Sequence, residues 1–198
     1  KSTKENFRTK RLIGNFFNVS GEFIEALREN NDLKSVLEVI AAFKNTNDIT
    51  FLFIDSYSKE VKEIIAQYKL ENLIVIDRIR HAELNSIYQR INLGLILYKP
   101  VGLNYEFCAP NKLYEYWSFG IPVIAHKLKG LLPLFHNDAQ GQLIDMENVN
   151  EFKDAISAYI NKHNSGNDYK FALMDIFEKK YEIKRYFEKL NQRMPFLQ

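Results

Sequence analysis

The chain has 198 residues, of which 46% are apolar and 14% aromatic, with 27 lysines and arginines against 25 aspartates and glutamates. This composition excludes an intrinsically disordered protein, and a net charge of only +2 disfavours a protein that coats nucleic acid. A single cysteine, Cys108, leaves no disulfide framework and no cysteine-based zinc site. The first residues hold neither a methionine nor a signal-peptide core, so we expect part of a cytoplasmic protein.

Six short apolar runs, each bounded by turn-forming residues, predict buried β-strands. In chain order they cover residues 11–17, 49–55, 73–77, 93–98, 122–125 and 142–144. Several of these runs are apolar on both faces of the strand, which is typical of a parallel sheet covered by helices on both sides.

Between the strands, apolar residues recur at the spacing of a helix. Four such stripes are Leu33, Val36, Leu37, Ile40 and Phe43; Val61, Ile64, Ile65 and Tyr68; Leu84, Ile87, Tyr88 and Ile91; and Val149, Phe152, Ile156 and Tyr159. The alternation of strand and helix predicts a doubly wound, Rossmann-like α/β fold with helices on both faces of the sheet. Because the sequence contains no internal repeat and no proline-rich linker, we expect one domain over residues 1–198.

The tail over residues 168–194 keeps helical spacing, and no predicted strand follows it. Its apolar stripe of Ile176, Ile183, Phe187, Leu190 and Met194 predicts one long amphipathic helix. Two interpretations stay open: the helix packs on its own domain, or it docks on a partner domain. Glutamates interrupt its basic side, which disfavours binding to nucleic acid.

The loop after the fourth strand spans about ten residues, whereas a strand-to-helix connection usually has ~2–6. Pro110 then begins a helix that Gly120 ends. The first turn of a helix leaves backbone amides unpaired and carries the positive end of the dipole, which suits a phosphate. Asn111 and Lys112 add an amide and a cation there, and Glu115 one turn later is suited to accept hydrogen bonds from sugar hydroxyls. This pattern indicates a nucleotide site.

Residues 109–125, with the sequence Ala-Pro-Asn-Lys-Leu-Tyr-Glu-Tyr-Trp-Ser-Phe-Gly-Ile-Pro-Val-Ile-Ala, resemble the donor-binding segment of the retaining GT-B glycosyltransferases known as group one. The order of the surrounding segments is similar over roughly residues 10–190. The resemblance implies a donor-binding domain that is the C-terminal half of a GT-B enzyme, with residues 168–194 as the closing helix. It further implies a retaining hexosyltransferase of bacterial type, acting in surface or capsular polysaccharide or other glycan synthesis.

The same resemblance assigns roles to individual residues. Glu115 corresponds to the second glutamate of the family's Glu-x7-Glu motif, which binds the ribose hydroxyls. The remaining donor-binding positions are the pyrophosphate cradle of Pro110, Asn111, Lys112 and Leu113, and the base contacts of Arg78 and Ile79.

Two positions depart from the family pattern and define the candidate catalytic residues. Phe107 occupies the position of the first glutamate of the motif, and Glu106, one residue earlier, is the available carboxylate. The family's Arg and Lys after the first strand have no clear match, so Lys112 is the candidate that neutralises the diphosphate leaving group.

The partners that the resemblance implies are a nucleotide-sugar donor and an N-terminal acceptor-binding domain, with no nucleic acid, no metal and no other cofactor. The parent enzyme is expected in the cytoplasm, and its association with the inner face of the membrane stays open. We expect this domain alone to bind the donor and to catalyse nothing.

Two alternatives stay open. One is half of a GT-B-like nucleotide-sugar epimerase, whose acid and base would have to come from His126, His136 and Glu106. The other is a non-catalytic α/β module whose tail helix recruits a partner. A phospho-receiver domain is excluded because the first strand lacks the acidic pair at its end.

Overall fold

The structure, a computed structural model, describes residues 11–16, 32–45, 49–54, 59–76, 81–100, 102–164 and 169–193. Its strands are β1 (Arg11–Phe16), β2 (Ile49–Ile54), β3 (Leu73–Ile76), β4 (Ile91–Ile96), β5 (Val123–His126) and β6 (Gly141–Ile144). They form one sheet in the order β3-β2-β1-β4-β5-β6, with every neighbouring pair parallel. The predicted parallel sheet is confirmed.

The described helices fill the intervals between strands and the tail. They are α1 (Asp32–Ala42), α2 (Lys59–Gln67), α3 (His81–Tyr88), α4 (Leu103–Glu106), α5 (Asn111–Ser118), α6 (Val149–Asn164), α7 (Lys170–Lys180) and α8 (Ile183–Arg193). None of the helices in the described ranges has both the length and the apolar character needed to cross a lipid bilayer.

The sheet is buried on both faces, and strand β2 illustrates why its sequence is continuously apolar. Phe51 and Phe53 pack into one apolar cluster together with α1 and α6, whereas Leu52 and Ile54 pack into a second cluster with α3, α5 and α7. Successive side chains of a strand point to opposite faces, so both sets must be apolar. The predicted doubly wound fold is confirmed.

The strand order reverses direction between β1 and β4, which lie side by side in the middle of the sheet. The chain runs outward from β1 to β3, returns through α3 to β4, and then runs outward again to β6. In open α/β sheets, ligands bind beyond the carboxyl ends of the strands at such a switch point. This topology places the loop between β4 and α5 beside the crevice.

Strand β4 begins earlier than its apolar run suggested. The prediction placed Ile91 at the end of a helical stripe and the strand over residues 93–98, but Ile91 pairs with Leu12 of β1 and the strand ends at Ile96. The polar Asn92 interrupts the apolar run and hides the true start of the strand.

The tail forms two helices where one long helix was predicted. The chain turns at Tyr181, whose ring packs on Tyr114 and Trp117 of α5 with centroid distances of 5.6 and 5.4 Å. The carbonyl groups that the break leaves at the end of α7 accept hydrogen bonds from α8: Arg185 Nη1 donates to Lys179, and the Tyr186 hydroxyl donates to Lys180.

The two tail helices therefore have different surroundings. Helix α7 packs against α5 and buries Leu173, which agrees with a helix docked on its own domain. On α8, Ile183 and Phe187 are 68% and 58% exposed. The side chain of Leu190 and residue Met194 lie outside the described part of the chain.

Candidate functional site

Helix α5 begins and ends as its sequence predicts. Pro110 is the N-cap residue in an extended conformation, and the helix ends at a turn in which Gly120 has φ 69°. A Cβ at Gly120 would lie 2.6 Å from the backbone oxygen of Lys170, so glycine satisfies both the backbone angle and the close approach of α7.

One face of α5 is fixed in the core. Leu113, Tyr116 and Trp117 are completely buried, and Trp117 Nε1 donates to the carbonyl of Gln140 at 3.0 Å. The Tyr116 ring lies directly on β4 at Gly94, where an added Cβ would be 2.7 Å from the ring. Consequently α5 cannot rotate, and its other face is held at the crevice.

The outer face of α5 carries the predicted donor-binding residues. Asn111 is exposed, and Lys112 and Glu115 are partly exposed. The amide of Leu113 donates to the Pro110 carbonyl at 2.9 Å, so one of the three amides predicted for the pyrophosphate cradle is engaged within the helix. The structure thus brings Pro110, Asn111, Lys112 and Glu115 to one helix end, as the contiguous motif requires.

Glu115 is oriented by a residue that the sequence interpretation assigned to the core. The Tyr88 hydroxyl, at the end of α3, donates to Oε2 of Glu115 at 2.5 Å. Burial, and to a smaller degree the charges of Cys108, Tyr105 and Glu115, raise the pKa of Tyr98, which follows β4, to about 12. The Glu115 carboxylate therefore lies between Tyr88 and the segment that follows β4.

Glu106, the other candidate carboxylate, has a different environment. It is the last residue of α4 and forms an ion pair with Lys129, with 2.7 Å between Nζ and Oε1. Its carbonyl accepts a hydrogen bond from Gly130. These contacts join the loop after β4 to the segment after β5, and no contact among the described residues links Glu106 to Glu115.

Arg78 and Ile79, predicted to contact the base, lie outside the described residues.

The sequence interpretation missed Lys99, which follows β4. Its side chain is only 12% exposed, and its Nζ lies 3.4 Å from Oε1 of Glu147. Because a lysine so soon after a central strand is unusual for a buried position, the sequence could have indicated Lys99 as a candidate site residue. His126, at the end of β5, accepts a hydrogen bond at Nδ1 from the Met146 amide.

An epimerase would need an acid and a base close together. In the described part of the chain, the contacts of His126, His136 and Glu106 do not bring these three residues together. His126 bonds to Met146, Glu106 pairs with Lys129, and the backbone amide of His136 donates to the Gln140 side chain. In the described residues, no three His, Cys, Asp or Glu side chains gather closely enough to hold a metal ion.

A hollow of about 150 Å³ lies at the opposite, amino edge of the sheet. Tyr88, Ile91, Pro122 and Tyr159 contribute to its lining, whereas none of the predicted donor-binding residues on α5 does. Tyr88 therefore reaches from the wall of this hollow to Glu115 on α5.

The profile of the family described as Glycosyl transferases group 1 matches residues 22–172. No curated protein sequence matches the chain. Among solved structures, Anabaena HepE in complex with UDP and glucose superposes with a TM-score of 0.69 and 14% identity, over 96% of this chain and 49% of HepE.

Two further structures are similar. A Staphylococcus aureus TarM mutant in complex with Fondaparinux, alpha-GlcNAc-glycerol and UDP has a TM-score of 0.66 and 18% identity, over 93% of this chain and 35% of TarM. The catalytic domain of Helicobacter pylori cholesterol-alpha-glucosyltransferase has a TM-score of 0.62 and 14% identity, over 86% of this chain and 99% of that domain.

At these identities the superpositions show the fold alone, and the chain spans about half or less of HepE and TarM. The family profile covers more than three quarters of the sequence, including the strand β4, the loop after it and helix α5. On this match, the chain belongs to the group 1 glycosyltransferases.

Proposed function

We propose that the chain is the nucleotide-sugar-binding half of a hexosyltransferase that retains anomeric configuration and uses a uridine-diphosphate sugar. The observation that carries this proposal is the position of Glu115, which lies one turn after the start of α5 and accepts a hydrogen bond from Tyr88. Family membership supports it. The complexes of HepE and TarM with UDP favour uridine diphosphate over other nucleotides.

In this proposal, the donor nucleotide lies across the N-terminal end of α5. Glu115 accepts hydrogen bonds from the ribose hydroxyls, for which an ionised carboxylate is a stronger acceptor than a neutral amide. The first-turn amides near Asn111 and the ammonium group of Lys112 face the pyrophosphate, because the helix dipole favours an anion at that end. Arg78 and Ile79 are proposed to contact the base.

The chemical step breaks the bond between the sugar C1 and the oxygen of the β-phosphate and forms a bond from C1 to the oxygen of an acceptor hydroxyl, whose proton passes to the departing diphosphate. Negative charge develops on the departing diphosphate, and Lys112 with the N-terminal end of α5 would stabilise that charge. Glu106, held by Lys129, is the second candidate catalytic residue. The acceptor and its contacts would come from an N-terminal half, with no metal or other cofactor.

The proposed setting is a cytoplasmic enzyme of surface polysaccharide or other glycan synthesis, with the inner face of the membrane as a peripheral contact of the whole enzyme. These features follow from the resemblance of residues 109–125 to the family's donor-binding segment. The half-length match to HepE supports a second half that carries the acceptor site.

Calorimetric titration with UDP, GDP and ADP tests the donor site. We expect UDP to bind at millimolar concentration or tighter, and Glu115→Ala to weaken it about tenfold or more, since a hydrogen bond to a charged group contributes ~1.5–3 kcal/mol. Glu63→Ala is the matched control, because Glu63 is an exposed glutamate on α2. Absence of binding for all three nucleotides by the folded chain would refute the donor site, and unchanged binding in Glu115→Ala would refute the role of Glu115.

A further inference from the structure

Tyr88 is held in one position by the aromatic residues of the site helix. Its side chain is 3% exposed, and its ring packs edge-to-face on Tyr116 at 5.7 Å and tilted on Phe119 at 5.1 Å. Both partners belong to the α5 segment, and Tyr116 is itself fixed against Gly94 of β4. The hydroxyl of Tyr88 therefore projects from a rigid aromatic support.

That hydroxyl is a permanent hydrogen-bond donor to Glu115. The distance of 2.5 Å to Oε2 is in the range of a charge-assisted O–H···O⁻ bond. Burial, the hydrogen bond to Glu115 and the charge of Glu115, in that order, raise the pKa of Tyr88 far above its usual value. Tyr88 is consequently the protonated donor of this hydrogen bond at neutral pH.

The bond restricts a carboxylate that would otherwise be mobile. Glu115 is partly exposed, and a glutamate on a helix surface samples several rotamers. An ionised carboxylate has about four acceptor positions, of which Tyr88 takes one. Because Tyr88 donates to Oε2, a ribose diol would be bound through the other acceptor positions of the carboxylate.

We propose that Tyr88 is a positioning residue of the nucleotide site, which holds the Glu115 carboxylate in the single orientation that accepts hydrogen bonds from a ribose diol. This inference rests on the proposed function, since it names how that same site selects a ribonucleotide. It predicts that Tyr88 contributes to affinity only through the ribose hydroxyls.

A purely structural role makes a different prediction. If Glu115 merely satisfies the hydroxyl of a buried tyrosine, Tyr88→Phe changes the stability of the protein and leaves the discrimination between ribose and deoxyribose unchanged. The two roles are separated by measuring how nucleotide affinity depends on the ribose hydroxyls.

The experiment measures the dissociation constants of UDP and 2′,3′-dideoxy-UDP by calorimetry for the wild type, Tyr88→Phe, Glu115→Gln and the double variant. For the wild type we expect 2′,3′-dideoxy-UDP, which lacks both ribose hydroxyls, to bind at least about tenfold more weakly than UDP. Tyr88→Phe is expected to weaken UDP severalfold and to bind 2′,3′-dideoxy-UDP as the wild type does. The double variant is expected to bind UDP no more weakly than Glu115→Gln alone.

Tyr159→Phe is the matched control. The Tyr159 hydroxyl donates to the Asn92 carbonyl at 2.6 Å, so this variant also loses a part-buried tyrosine hydrogen bond, but at the amino edge of the sheet. It should leave both dissociation constants unchanged. Phenylalanine keeps the Tyr88 ring contacts, and should that variant not fold, Tyr88→Met also removes the hydroxyl, leaves Glu115 unchanged and serves the same comparison.

The outcomes separate this inference from the proposed function. If UDP binds and Glu115→Gln weakens it while Tyr88→Phe does not, the inference is wrong and the donor site stands. Equal weakening of UDP and 2′,3′-dideoxy-UDP by Tyr88→Phe also overturns the inference, because the effect is then independent of the ribose hydroxyls. If the wild type binds no nucleotide, the proposed function fails and the inference with it.

Discussion

His126 closes strand β5 with its imidazole turned toward the segment after β6. Nδ1 accepts the hydrogen bond from the Met146 amide at 3.2 Å, which requires that this nitrogen carry no proton. Burial is the main cause that lowers the pKa of His126, and the charge of Asp145 opposes it to a smaller degree. The folded protein therefore favours the neutral imidazole.

This environment makes stability depend on pH in a defined direction. The pKa of His126 is lower in the folded state than the ~6.5 of an unfolded chain, so the unfolded state binds the proton more readily. The contribution of His126 is complete above about pH 7 and decreases as the pH falls through 6.5. We expect His126→Asn, whose Oδ1 can replace the acceptor, to lose less stability on acidification than the wild type.

Urea unfolding at pH 7.5 and at pH 5.5 measures the difference. His136→Asn is the control, because His136 is exposed and bonds to Gln140 through its backbone amide. An equal loss of stability in the wild type and His126→Asn between the two pH values would contradict the prediction.

At the scale of residues, the site was predictable where its members are neighbours in sequence. Pro110, Asn111, Lys112 and Glu115 lie in one contiguous motif, and the helix that carries them begins and ends where the sequence indicates. Tyr88 is separated from Glu115 by 27 positions and belongs to an apolar stripe, so periodicity assigned it to the core alone. Only the packing of α3 beside α5 makes it part of the site.

Among the connecting elements, the segment before β6 depends on one buried polar side chain. Gln140 is 1% exposed; its Oε1 accepts the amide of His136 at 2.8 Å, and its Nε2 donates to the Leu134 carbonyl at 2.7 Å. Its backbone carbonyl accepts hydrogen bonds from Trp117 Nε1 and from the Val123 amide. Gln140 thus joins the loop after β5 to α5 and to the sheet.

Substituting Gln140 by leucine should destabilise the protein by about 1–3 kcal/mol. The variant removes the side-chain partners of the His136 amide and the Leu134 carbonyl, and each of these part-buried hydrogen bonds contributes ~0.5–1.5 kcal/mol. Gln142→Leu, an exposed position two residues later on β6, should change stability by less than ~0.5 kcal/mol. Urea unfolding measures both variants, and similar losses in the two would contradict the prediction.

The elements were predictable to the extent that local apolar patterns decide them. All six strands appear near their predicted positions because a short apolar run marks each of them, and β2, for example, is buried over its whole length. The division of the tail into α7 and α8 was not predictable, because the apolar stripe keeps its helical spacing across Tyr181 and does not indicate that the helix ends there. The break arises from the contact of the Tyr181 ring with Tyr114 and Trp117, which are more than sixty positions away in sequence.

Considered as a whole, the molecule presents one edge of its sheet as an open site. The α5 terminus and Glu115 are at the carboxyl edge, and the loops after β4 and β5 are joined there by Glu106 and Lys129. HepE and TarM are at least twice as long as the matched region. In the proposed function, this edge binds the nucleotide-sugar donor, and the acceptor is bound by a second half of the enzyme.

For the 198-residue chain we expect nucleotide binding without glycosyl transfer. Transfer requires an acceptor hydroxyl aligned with the sugar C1, and such alignment is a large part of catalysis in two-substrate reactions. The measurement is release of UDP from UDP-glucose, with the Glu115→Ala variant setting the background. Sustained release by the wild type above that background would contradict the expectation.

The position of Trp117 gives this protein an intrinsic optical probe. It is the chain's one tryptophan, it is fully buried between Phe135 and Tyr181, and it lies two residues after Glu115 on the same helix. Fluorescence excited through tryptophan therefore arises from one point in the site helix. A change in its emission, or in its quenching by acrylamide, can be assigned to α5 without a label or a substitution. Ligand binding at this helix can therefore be followed by the fluorescence of one known residue.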